Sequence, residues 1–182
     1  MKEASLAITP GVLVLSLVLL AGAPSDADEA LQFVLPDIDG HEFSLEKEVG
    51  AGPLVLDFWA TWCKPCIKEL PVLQVISTDY EKRGVRVVTV NIDGPHNQAK
   101  IRPFIQRHRL QLPVLLDKAG SVIKQCQLLA VPSTVIISSA GEMVYKHSGY
   151  KPGDGKVLRS KLDELLDHGA PTHTNQEVEA GS

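Results

Sequence analysis

Leu54-Val-Leu-Asp-Phe-Trp-Ala-Thr-Trp-Cys-Lys-Pro-Cys66, continuing as Ile67-Lys-Glu-Leu-Pro71, is the stretch on which the fold turns. Its first six residues are apolar except for Asp57, so they are expected to form a central strand covered on both faces. Beyond Cys63, the residues Ile67, Leu70, Leu73 and Ile76 recur at three- and four-residue steps. That spacing predicts an amphipathic helix reaching about Arg83 and kinked near Pro71. A Cys-x-x-Cys pair therefore sits where a strand hands over to a helix, and in that setting the pair reads as a redox motif.

The chemistry follows from the position. The free amides and the dipole at a helix start favour an anion, so Cys63 ionises more readily and is the expected attacking thiolate. Lys64 adds a cation beside it, and Pro65 stiffens the first turn without wasting a hydrogen-bond donor. Two intervening residues bring both sulfurs to one end of the helix, where Cys66 can resolve a mixed disulfide formed on Cys63. The competing reading is half of a zinc site, which needs a second Cys or His pair at close spacing. The six histidines are scattered and the third cysteine, Cys126, has no neighbour in sequence. The expectation is therefore no metal and no bound cofactor.

Outward from this stretch, Phe33-Val-Leu-Pro36 and His41-Glu-Phe-Ser44 flank a turn at Asp37-Ile-Asp-Gly40 and predict a small N-terminal hairpin. Ser44-Leu-Glu-Lys47 has the pattern of a capping-box helix start, with Gly50-Ala-Gly-Pro53 closing that helix. Val85 to Val90 is the next expected strand, and a helix ending near His108 follows, its first turn made uncertain by Pro103. A short strand at Pro113 to Leu116 and a short helix from Gly120 to about Leu128 come next. Thr134 to Ser138 and Glu142 to Lys146 flank a turn, and Lys156 to Asp167 forms the last helix. Strands alternating with helices, ending in a hairpin and a helix, describe an α/β sandwich on a mixed sheet. The tail from Gly169 is short of large apolar residues and is expected to be disordered.

The totals set the outer limits. At 182 residues and 44% apolar, the chain is expected to bury one core, in a domain over residues 31–168 after a solvated linker at 24–30. A formal charge of −4 with acids and bases interspersed argues against nucleic acid as a partner. Residues 1–23 read as a signal peptide: Lys2, an apolar run from Gly11 to Ala21, and Ala21-Gly-Ala23 before Pro24. Cleavage is expected after Ala23, although counting from Leu6 the apolar stretch approaches the length of an uncleaved anchor. No cysteine follows Leu20-Ala-Gly22, which excludes a lipoprotein. Export places the cysteines where disulfides persist, and three of them suggest one working pair and one spare thiol.

The chain resembles the thioredoxin superfamily, and more narrowly its TlpA/ResA-type exported thiol-disulfide oxidoreductases. The likeness rests on Leu56 to Cys66, on Lys68-Glu-Leu-Pro71 and on Val131-Pro-Ser-Thr134, and spans roughly residues 30 to 168. It implies a thioredoxin-like fold with an inserted strand and helix between about Asp93 and Asp117. It makes Val131-Pro132 the cis-proline loop that faces the cysteines and holds substrate backbone; an ordinary strand-start proline is the alternative. It makes Asp57 the buried carboxylate that exchanges a proton with Cys66, although many TlpA/ResA-type proteins carry another residue there. Glu69 matches a second carboxylate of the exported branch, against the alternative of a solvated helix acid. Trp62 is expected at the surface, for docking, with Trp59 in the core, and Cys126 as a small buried residue.

The activity implied is exchange on disulfide-bearing protein substrates outside the cytoplasm, in the periplasm, with reduction fed by a membrane thiol donor as the expected direction. An apocytochrome c is one candidate substrate. A disulfide oxidant stays open. A thiol peroxidase is disfavoured, because the Thr or Ser and the Pro it usually needs are replaced by Ala60 and Leu56. A binding or chaperone module with vestigial cysteines is the rival from another class.

Overall fold

The computed structural model describes residues 31–169, so the expected leader, the linker and the tail beyond Gly169 lie outside the described residues. A hairpin of β1 (Val34–Pro36) and β2 (Glu42–Ser44) leads into a single-turn helix, α1 (Leu45–Glu48), and then β3 (Leu54–Trp59) and α2 (Lys64–Tyr80). β4 (Arg86–Asn91), α3 (Gln98–His108), β5 (Val114–Leu116) and α4 (Ser121–Gln125) follow. β6 (Ser133–Ile137), β7 (Met143–Ser148) and α5 (Asp154–Gly169) complete the chain.

β3 is buried at every residue because it is the middle strand of a five-stranded sheet ordered β5-β4-β3-β6-β7. It pairs in parallel with β4 and antiparallel with β6, so the sheet is mixed. Side chains alternate along a strand, and β3 divides accordingly. Leu54, Leu56 and Phe58 face a core built with the N-terminal hairpin and α4, which includes Phe33, Leu35, Val122 and Cys126. Val55 and Trp59 face the opposite core with Leu70, Leu73 and Ile76 of α2 and Leu158 and Leu162 of α5. This is a thioredoxin-like α/β fold. The inserted unit is α3 followed by β5, which pairs in parallel with β4 at the sheet edge.

Several local details differ from the sequence reading. Ser44 stands at the start of α1 in extended conformation, but its side chain makes no capping hydrogen bond. The helix it precedes has a single turn, too short to need the full set of caps. α2 holds Pro71 in its interior, as expected, but its last turn, Glu81–Arg83, is a 3-10 turn before Gly84 ends it in the left-handed region. Pro103 lies inside α3 beyond its first turn. Close backbone approach explains Gly52: a Cβ there would stand 2.2 Å from the carbonyl oxygen of Gly84, beside the starts of β3 and β4.

Candidate active site

Trp59 ends β3, and a tight turn follows in which the Cys63 amide donates to the Ala60 carbonyl. The turn is held from the side by Asp93, whose carboxylate accepts from the Thr61 amide at 2.8 Å and from the Thr61 hydroxyl at 3.1 Å. Asn91 donates to the same carboxylate at 2.9 Å. Cys63 then occupies the cap position of α2, its sulfur accepting the Cys66 amide at 3.2 Å. Lys64 is the first helical residue and is exposed, and Pro65 follows it in the first turn. Cys63 and Cys66 are joined in a disulfide. Cys63 keeps 3% of its surface and Cys66 none, so Cys63 is the one of the pair that meets solvent. In the reduced pair, an amide aimed at the Cys63 sulfur favours its thiolate.

Below the pair lies a group of buried polar side chains, and the strand and helix periods explain why they meet. Asp57 shares the face of β3 with Val55 and Trp59, toward α2. Thr134 is its cross-strand partner on β6 and points to the same side. On α2 the buried stripe is Cys66, Glu69, Leu70, Leu73, Ile76 and Tyr80, so Glu69 follows Cys66 by one turn on the inward face. The Thr134 hydroxyl consequently sits 3.2 Å from Asp57 Oδ1 and 3.3 Å from Glu69 Oε1. Asp57 Oδ2 and Glu69 Oε2 have no hydrogen-bond partner among the described residues.

A hydroxyl has one hydrogen and can donate to only one carboxylate at a time. With both acids ionised, the second contact would set oxygen lone pairs against each other; with one proton on the pair, a chain of donors runs from one carboxyl through Thr134 to the other. Burial is also the largest influence on each group. It lifts Asp57 well above the usual carboxylate range, with the Glu69 charge raising it further and Thr134 opposing. It lifts Glu69 to about 7, against the Thr134 hydrogen bond and with help from the Asp154 charge. The two acids therefore titrate as a pair that holds a proton near neutrality. Beyond Glu69 a narrow crevice bordered by Tyr145, His147 and Asp154 leads outward.

The Val131-Pro132 bond is cis. Phe58 pairs with Ser133, so Pro132 lies alongside the end of β3 from which the cysteine turn departs, and Val131 packs on the core that includes Cys63 and Cys66. Trp62 is 62% exposed, whereas Trp59 is fully buried against Phe104 with ring centroids 4.7 Å apart. Cys126 is buried in the opposite core, and burial, aided by the charge of Asp117, pushes its thiol up to about 11. Among the described residues no group of three or more His, Cys, Asp or Glu side chains is placed to hold a metal ion, and no helix is long and apolar enough to cross a membrane. Thr134 is the site residue whose role the sequence reading missed. A hydroxyl in the otherwise apolar run Thr134-Val-Ile-Ile137 was its only signal.

A family model described as the AhpC/TSA family matches residues 27–146. The chain is 33% identical over 122 residues to the thiol-disulfide oxidoreductase ResA of Halalkalibacterium halodurans, covering 67% of this chain and 68% of that one. It is 31% identical over 138 residues to the ResA of Bacillus thuringiensis subsp. konkukian, covering 76% and 75%. Among solved structures, one described as the thiol:disulfide interchange protein DsbE from Chlorobium tepidum superposes with a TM-score of 0.69 at 27% identity, over 75% of this chain and 94% of that one.

Proposed function

This chain belongs to the AhpC/TSA family, among its ResA-type thiol-disulfide oxidoreductases, and from that premise we propose that it reduces disulfides of protein substrates outside the cytoplasm. The observation that carries the reading is the Cys63–Cys66 pair at the start of α2, set over a buried, proton-holding carboxylate pair. In the reduced enzyme the Cys63 thiolate attacks one sulfur of the substrate disulfide, forming a mixed disulfide and releasing a substrate thiolate, which takes up a proton. Cys66 then gives up its proton and attacks the Cys63 sulfur. The second substrate sulfur leaves as a thiolate that takes a proton from solvent, and the Cys63–Cys66 disulfide remains. Two electrons have passed to the substrate, and its two thiol protons are matched by the one lost from Cys63 on ionisation and the one given up by Cys66. Asp57 and Glu69 take the Cys66 proton, the role suited to groups whose proton affinity sits near the working pH. Lys64 and Pro65 tune the Cys63 thiolate, and Val131-Pro132 with Trp62 contacts substrate.

A membrane thiol donor would restore the dithiol, and an apocytochrome c with a disulfide at its haem-binding cysteines is one substrate of this class. Residues 1–23 supply the export signal, removed or kept as an anchor in the inner membrane. The direction of exchange is tested by equilibrating the purified domain against glutathione or dithiothreitol buffers. A potential at or below about −250 mV, near that of thioredoxin, is expected of a reductase. A value near about −120 mV would make the protein a disulfide donor instead.

A further inference from the structure

A groove enclosing about 550 Å³ runs between the cysteine turn and the inserted helix α3. Its loop side is Thr61 and Trp62, and its helix side includes Lys100, Pro103, Phe104 and Arg107. Lys100, Pro103 and Arg107 fall at i, i+3 and i+7, one stripe of the helix, and all three are exposed. The walls are fixed to each other. Phe104 packs on Trp59 at the end of β3, and Thr61 is held by Asp93. The groove therefore keeps a set distance from Cys63, which follows Trp62 directly.

Its charge is one-sided. Residues 94–116 hold four Lys or Arg and no Asp or Glu, in a chain whose net charge is −4. Arg102, off the stripe, is already engaged with Asp39 and the Ile38 carbonyl. Lys100 meets only the neutral Asn97 amide oxygen, at 2.8 Å, and Arg107 has no carboxylate partner among the described residues. Asp93, just before this segment, is fully buried and turned to Thr61 and Asn91. Two unneutralised cations beside an exposed tryptophan, one residue from the attacking sulfur, suit a peptide that carries both an apolar and an acidic side chain.

We propose that this groove seats the substrate polypeptide next to its disulfide cysteine, with Lys100 and Arg107 pairing with a carboxylate side chain of that segment. The inference rests on the reading that protein disulfides are the substrate. From Lys100 to Arg107 the helix advances about 10 Å, the length of about three residues of extended chain, so an acid anywhere in such a stretch of bound peptide meets one cation or the other.

The test uses disulfide-bridged peptides that differ only in Glu, Gln or Lys two residues from one cysteine, with kcat/KM measured for the full chain at low and high salt. The Glu peptide is expected to react about fivefold faster than the Lys peptide at low salt, with the difference largely lost at high salt. In the Lys100→Glu, Arg107→Glu double variant the order should invert, which a merely unfolded variant cannot do. Equal rates for all three peptides, or an unchanged order in the double variant, would overturn the groove assignment. Hydroxyethyl disulfide, too small to span the groove, separates the two readings. If the parent turns it over while showing no charge preference, the groove alone is refuted; if the parent never cycles, both fall.

Discussion

Replacing Glu69 by Gln should make the protein more stable at alkaline pH and leave it nearly unchanged in acid. The side chain is 5% exposed and its carboxyl is raised from 4.5 to about 7, first by burial. Because the folded value lies above the unfolded one, the unfolded chain releases this proton first as pH rises. Stability therefore falls between about pH 4.5 and 7, and the full penalty applies above that window. The interval corresponds to about 3 kcal/mol. Gln has nearly the shape of the protonated acid, can still accept from Thr134 and never ionises, so it removes the penalty. Urea unfolding of the oxidised protein at pH 4 and pH 8.5 measures it. With a slope of about 2 kcal/mol per molar urea, the variant's midpoint should exceed the parent's by up to about 1.5 M at pH 8.5 and match it at pH 4. A variant less stable than the parent at pH 8.5 but equal to it at pH 4 would show that Glu69 stabilises the fold as a charged group, and the proton-holding pair would be refuted.

The remaining expectations follow from the same geometry. Thr134→Val removes the donor that holds Asp57 and Glu69 toward ionisation, so carboxyl titration by infrared or NMR should show Glu69 ionising above about pH 7; an unchanged midpoint would mean the hydroxyl does not couple the acids. Cys126, fully buried with its thiol near 11, should resist iodoacetamide at pH 8 in the folded protein and react promptly in urea; fast labelling of the folded form would contradict its placement.

Much of the site could be read along the chain because its signals are local. The apolar run around Asp57 implied that a charge would be buried, and the Cys-x-x-Cys spacing at a strand-to-helix junction placed both sulfurs. Glu69 was harder: a Glu between Lys68 and Leu70 suits either face of a helix, and only the rotational phase of α2, fixed by its docking on the sheet, turns it inward. Thr134 could not be identified as the bridge, since its meeting with Asp57 depends on the β3–β6 register, a contact 77 residues apart. The groove was invisible for the same reason. Lys100 and Arg107 form a stripe in sequence, but the element they face is decided by Phe104 packing on Trp59.

On the proposed mechanism Cys63 attacks and Cys66 resolves. Replacing Cys66 with Ser removes the second step, so a disulfide-bearing protein substrate should accumulate as a mixed disulfide on the variant. Peptide mapping by mass spectrometry under non-reducing conditions locates the bond. The expected result is linkage at Cys63 alone, with no adduct on the Cys63→Ser variant under the same conditions. Linkage at Cys126, or equal trapping at Cys66 when Cys63 is replaced, would contradict that order of attack.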